Sequence, residues 1–128
     1  MFEVSVSGRF VAAHQLRLPD GTLEPRHSHN WRVAVTFGGA MLDRNGLLLD
    51  FNEIKTRLDE LLAILFDRNL NELPAFTGRP PSAENVALHV AQQLGGLLPA
   101  GVRLTCVEVE ETPGCIARYR PRSNKVTK

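Results

Sequence analysis

The chain predicts an α+β domain: a four-stranded antiparallel sheet carrying two helices on one face, in the order ββααββ. Three observations lead there. Near the N-terminus Phe2, Val4, Val6, Phe10 and Ala12 alternate with Glu3, Ser5, Ser7 and Arg9, the period of a half-buried strand. In the middle the spacing lengthens to that of a helix, in Ile54, Leu58, Leu61, Leu62 and Leu65. Two helices are too few to cover both faces of such a sheet in so short a chain. They are expected on one face, with the other face or the edges closed by self-association.

The first strand runs from Phe2 to His14. Leu16 to Arg26, with Pro19-Asp20-Gly21 and Pro25, is the connecting loop. A second strand places His27, His29, Trp31, Val33, Val35 and Phe37 on one face and ends at Gly38-Gly39. Leu47 to Leu49 are expected to add an apolar segment after the Asp43-Arg44-Asn45-Gly46 turn. Asp50 reads as a helix N-cap, with Glu53 reaching back in capping-box fashion. Pro74 to Pro81 is a loop, and Ser82 with Glu84 or Asn85 opens a second helix whose Val86, Val90, Leu94 and Leu97 face inward. His89 falls with Ser82, Asn85 and Gln93 on the opposite, solvent-facing side. Val102 to Val109 and Cys115 to Tyr119 supply the last two strands, joined at Pro113-Gly114. Residues 1–120 form one domain, and residues 121–128 a basic C-terminal tail.

With 128 residues, 43% of them hydrophobic and 23% charged, the chain has enough apolar material for one core and no run long enough to span a bilayer. The N-terminus, Met1-Phe2-Glu3-Val4-Ser5, lacks the pattern of a signal peptide, so a cytoplasmic location is expected. A formal net charge of +1 gives no pull toward nucleic acid, and the cations between Arg118 and Lys128 read as a solvated terminus. Cys106 and Cys115 show no metal or redox spacing and are expected to be reduced packing residues.

The chemistry lies in the histidines. Alternate residues of a strand share a face, so His27 and His29 point the same way, and a neighbouring strand ending at His14 brings a third imidazole beside them. Zinc accepts neutral imidazole nitrogens in a tetrahedron, and catalytic sites commonly use three protein ligands with the fourth position open. The alternative for this pattern is a set of surface or satisfied core histidines.

The blocks Phe10-x-Ala12-Ala13-His14, His27-Ser28-His29-Asn30-Trp31, Gly46…Asp50-Phe51…Lys55, Leu65…Asn69-Leu70-Asn71, Ser82-Ala83-Glu84-Asn85-Val86-Ala87 and Glu111-Thr112-Pro113 stand in order along nearly the whole chain. Together they resemble the 6-pyruvoyl-tetrahydropterin synthase family, which includes the 6-carboxy-tetrahydropterin synthases. The resemblance implies a tunnelling fold, in which subunits join their sheets into a barrel, as a hexamer or at least a trimer, with active sites between subunits. It implies zinc held by His14, His27 and His29, a small-molecule pterin as substrate, Glu111 as the carboxylate that anchors it, and the Ser82 hydroxyl beside it. A carboxylate accepts two parallel hydrogen bonds from an amino-pyrimidinone edge as it would from a guanidinium. Glu84 and Asn85 read as structural.

The chain also departs from that pattern. Leu23 stands where the family usually has its cysteine, with Glu24 next to it; Phe66-Asp67 replaces an Asp-His pair; and Ser28 replaces a glycine between the histidines. A branch of the family with glutamate in this neighbourhood cleaves the dihydroneopterin side chain to a 6-hydroxymethyl product. The resemblance therefore points first to a zinc-dependent pterin lyase acting on dihydroneopterin or its triphosphate, with Glu24, then Asp67, as the candidate base. A non-catalytic or repurposed pterin-binding paralogue and a 6-carboxy-tetrahydropterin synthase are the other two readings.

Overall fold

The computed structural model describes residues 1–96 and 98–122. Two long strands, β1 (Phe2–His14) and β2 (His27–Gly39), pair antiparallel over their whole length. After α1 (Phe51–Leu65) and α2 (Ala83–Leu94) the chain returns as β3 (Val102–Thr112) and β4 (Cys115–Tyr119), giving the sheet order β1-β2-β3-β4. The ββααββ order and the antiparallel sheet match the expectation.

Alternation decides which face is covered. Phe10 and Ala12 of β1, Trp31, Val33, Val35 and Phe37 of β2, and Leu104, Val107 and Val109 of β3 are buried beneath the helices. The helices meet them with Ile54, Leu58, Leu61, Leu62 and Leu65 from α1 and Val86, Ala87, Val90, Ala91 and Leu94 from α2. Burying one such leucine, valine or phenylalanine side chain stabilises by about 1.5–3 kcal/mol. The other face carries charge: Glu108 accepts from Arg118 Nε at 2.9 Å and stands 3.7 Å from Arg32.

Both helices begin as their sequences dictate. Asp50 accepts from the Asn52 N–H at 2.8 Å and Ser82 Oγ from the Asn85 N–H at 3.1 Å. Asp50 caps alone; no return bond from Glu53 forms among the described residues. At Gly39 the sheet passes so close to Gly101 that a Cβ would lie 2.8 Å from the Gly101 carbonyl oxygen.

Several expectations need correction. Of the apolar segment Leu47 to Leu49, Leu48 and Leu49 drop into the core from a bend, but Leu47 stays exposed, because the Asp43 carboxylate closes a turn onto the Asn45 and Leu47 N–H groups. His89 is half-buried rather than solvent-facing, because Phe76 from the 3-10 turn Pro74–Phe76 packs against its ring at 5.5 Å. Cys115 is exposed and so is no packing residue. β3 runs three residues past Val109, which lifts Glu111 out of the turn and onto a strand. The inward Leu97 and residues 123–128 of the basic tail lie outside the described residues.

Candidate active site

The β1–β2 register sets the centre of the site. His14 pairs directly with His27 and Ala12 with His29, so two imidazoles project side by side and the third stands over a small residue. Trp31, one step further along β2, forms the floor: its ring lies 4.9 Å from that of His14 and 5.8 Å from that of His29, edge-on to both. Its indole N–H donates to the Ala12 carbonyl at 3.1 Å.

Hydrogen bonds behind the rings fix their tautomers. His14, which is 0% exposed, donates from Nδ1 to the Pro81 carbonyl at 2.7 Å, and His27 donates from Nδ1 to the Pro25 carbonyl at 2.9 Å. A carbonyl only accepts, so in each neutral ring Nε2 is left with a lone pair. These two Nε2 atoms face each other at 3.0 Å. The third, His29 Nε2, is buried and makes no hydrogen bond among the described residues, although Glu111 Oε2 lies 3.1 Å away. Burial, above all, pushes the His29 pKa below the usual imidazole value, and the neighbouring His27 and His14 add to this while Glu111 opposes it.

Glu111 arrives by strand alternation, because the β2–β3 register sets Val109 opposite Val33 and Glu110 opposite Arg32 and so brings the next inward residue of β3 toward the histidine end of β2. The β3–β4 register slips between Glu110 and Thr112, and Glu111 keeps the inward side that Val107 and Val109 occupy. Its Oε2 is also 3.7 Å from His14 Nε2, and one donor atom from each of His14, His27, His29 and Glu111 lies within 4.8 Å of the others. Three converging imidazole nitrogens, two with lone pairs fixed by carbonyls behind them and one buried without a partner, fit a zinc ion. His14, His27 and His29 would hold it, with Glu111 at the open side.

Glu24 stands on the rim. It is 23% exposed, its Oε1 lies 3.8 Å from His27 Nε2, and the same oxygen accepts from the Leu16 N–H at 3.0 Å. Its loop is more ordered than its sequence suggests, since Arg17 and Leu23 form a bridge that makes residues 16–24 a small hairpin.

The family model of 6-pyruvoyl tetrahydropterin synthase matches residues 3–122. The chain belongs to that family. Over 96 residues it is 32% identical to human 6-pyruvoyl tetrahydrobiopterin synthase, a match covering 73% of this chain and 66%, just under two thirds, of the human protein. It is 30% identical over 95 residues to the dihydroneopterin monophosphate aldolase of Pyrococcus furiosus, covering 74% of this chain and 76% of that one. The structure of Caenorhabditis elegans 6-pyruvoyl tetrahydropterin synthase shares the fold, with a TM-score of 0.79 at 24% identity over 94% of this chain and 96% of that one.

Within this 6-pyruvoyl tetrahydropterin synthase fold the remaining candidates sit apart from the histidines. Asp67 follows α1 with a positive φ of 59°, exposed, its N–H donating to the Val11 carbonyl at 2.6 Å. It is not among the four clustered residues. Ser82 caps α2 and adjoins Pro81, the acceptor for His14. A cleft lined by Ala83, Glu84, Glu111, Thr112 and Cys115 opens beside that cap. Asn85 is structural, donating from its side chain to the Pro80 carbonyl at 2.8 Å. The sequence reading missed the backbone acceptors Pro25 and Pro81. Pro25, two residues before His27, carried a weak local signal; Pro81 carried none.

Proposed function

We propose that the chain is a zinc-dependent pterin lyase that cleaves the side chain of dihydroneopterin or a phosphate of it by retro-aldol chemistry, yielding 6-hydroxymethyl-dihydropterin. The observation that carries this reading is Glu24 on the rim of the three-histidine cluster, 3.8 Å from His27 Nε2. It stands beside Leu23, which takes the place of the family's usual cysteine. The Pyrococcus furiosus relative bears the name of an aldolase, which supports the retro-aldol form of the reaction.

When bound, zinc supplies positive charge that lowers the pKa of a substrate hydroxyl beside it. Glu24 then takes the C2′ hydroxyl proton on its carboxylate. The C1′–C2′ bond breaks, glycolaldehyde or its phosphate leaves, and the electron pair moves into the ring imine. Glu24 returns the proton to C1′, which keeps its own hydroxyl, so atoms and charge balance. Glu111 anchors the amino-pyrimidinone edge of the pterin, and Ser82 lies at the side of that pocket. The working form is a homo-oligomer, trimer or hexamer, which closes the free edge of β4; light scattering at working concentration tests this, and a monomer that still binds pterin rejects a shared site.

The test of activity is incubation of zinc-loaded protein with dihydroneopterin, its monophosphate and its triphosphate, with products identified by mass. A 6-hydroxymethyl product from wild type, formed about a hundredfold or more slowly by Glu24→Gln, is expected. Asp67, exposed and outside the cluster, favours a second reading as a pterin-binding paralogue without catalysis. Tight pterin binding with no altered product would select that reading, and a 6-carboxy product the third.

A further inference from the structure

Glu24 is held by a relay of hydrogen bonds that begins 47 residues away in sequence, at Asn71. The 3-10 turn Leu70–Glu72 is pinned by Leu70, which is fully buried, and by Asn69, whose side chain accepts from the Asn71 N–H at 3.3 Å. Segment 67–71 runs along the outer edge of β1. The Asp67 N–H donates to the Val11 carbonyl at 2.6 Å, and the Ala13 N–H donates to the Arg68 carbonyl at 2.9 Å.

The next rung is made by a side chain in place of backbone. Asn71 Oδ1 accepts from the Gln15 N–H at 2.8 Å, and Asn71 Nδ2 donates to the Gln15 carbonyl at 3.0 Å. Both polar atoms of the amide are spent on one residue, as a pairing strand would spend its backbone. Gln15 and Leu16 then hold Glu24 at three points. Gln15 Nε2 donates to the Glu24 carbonyl at 3.1 Å, the Leu16 N–H donates to Glu24 Oε1 at 3.0 Å, and the Glu24 N–H donates to the Leu16 carbonyl at 2.9 Å. Oε2 of Glu24 has no partner among the described residues.

We infer that Asn71 is a positioning residue for Glu24: by clamping Gln15 at the end of β1 it sets where the carboxylate stands relative to His27. The inference rests on the proposed role of Glu24 as base. Without the clamp, the hairpin of residues 15–24 is tethered only at its two ends, by the paired His14 and His27, and the carboxylate samples positions an ångström or more from the productive one. A displacement of that size costs up to about a hundredfold in rate. Asn71 is exposed, so its truncation opens no buried cavity.

The experiment is a double-mutant cycle with an exchange measurement beside it. Asn71→Ala should lower kcat by about tenfold or more with zinc content and KM near wild type, and Asn71→Asp, which keeps the acceptor and loses the donor, should fall between. In a Glu24→Gln background Asn71→Ala should cost nothing further, since the group it positions is gone. Hydrogen exchange in the free protein should quicken at the amides of Gln15, Leu16 and Glu24 and stay unchanged at Val33 and Leu58. Losses that multiply in the double variant would show Asn71 acting elsewhere and overturn this inference alone. Glu24→Gln turning over as fast as wild type would overturn both the base assignment and the clamp. Where wild type processes no pterin, the proposed activity falls and exchange decides: unchanged protection at Leu16 and Glu24 in Asn71→Ala overturns the clamp.

Discussion

Replacing Glu111 by Gln separates a metal-ligand role, which its distance from the histidines allows, from the pterin-anchor role proposed for the same carboxylate. Its Oε2 lies 3.1 Å from His29 Nε2 and 3.7 Å from His14 Nε2, close enough for a metal ligand, yet the pterin-anchor role needs both oxygens turned to the substrate. Glutamine keeps one acceptor and turns the other into a donor that meets a pterin N–H head-on. Losing one charge-assisted hydrogen bond and leaving that donor unmatched costs about 1–3 kcal/mol, or roughly 5- to 150-fold in Kd. Because the side chain is 24% exposed, solvent screens part of the charge, and the expected loss is about tenfold. The assay is titration of zinc-loaded wild type and Glu111→Gln with dihydroneopterin by pterin fluorescence, with metal counted on the same samples. An anchor gives weaker binding at about one zinc per chain in both proteins. Unchanged Kd would refute the anchor, and loss of zinc would make Glu111 a ligand instead.

Three further outcomes follow from the packing. His14→Ala and His27→Ala should each abolish stoichiometric zinc, but only His14→Ala should also lower the melting temperature of the metal-free protein, because it strips a buried partner from the Pro81 carbonyl, at about 1–3 kcal/mol; equal melting points would refute the distinction. Gly39→Ala should destabilise by about 1–3 kcal/mol in urea titration, since its Cβ would meet the fixed Gly101 carbonyl oxygen at 2.8 Å. Burial, and then Arg79, lower the His89 pKa, so protonation favours the unfolded chain. The stability this residue lends is whole above the unfolded pKa of about 6.5 and is lost as pH falls from there toward the depressed folded value. His89→Gln should flatten the fall in melting temperature below that pH, and parallel curves for the two proteins would refute it.

What the sequence disclosed divides by range. His27 and His29 were legible because a period of two is a local property, and the helix stripes from Ile54 to Leu65 were legible for the same reason. His14 needed one non-local fact, the register, and the long apolar alternation of both strands supplied it. Glu111 was legible as a residue but not as a neighbour of His29, because its approach depends on the register of β3 against β2, a pairing of residues far apart in the chain. His89 was misread because the periodicity of α2 cannot register that Phe76, thirteen residues earlier, covers its outer face. The Asn71 clamp was invisible for a related reason: its partner lies 56 residues away and is bound through backbone, which leaves no trace in side-chain chemistry.

The acceptor behind His14 belongs to Pro81, which follows a second proline. Two pyrrolidine rings in succession fix the local φ angles, and the Ser82 N–H and the Asn85 side chain both donate to the Pro80 carbonyl, so the segment that presents the Pro81 acceptor to Nδ1 has little freedom to move. The ring is thus aimed during folding, and a cation entering later meets nitrogens already turned toward it. Capture should then depend on access and dehydration of the ion, while rearrangement of the protein contributes little to the rate. The order that a metal ion would need at these nitrogens is stored in a piece of loop behind the imidazoles.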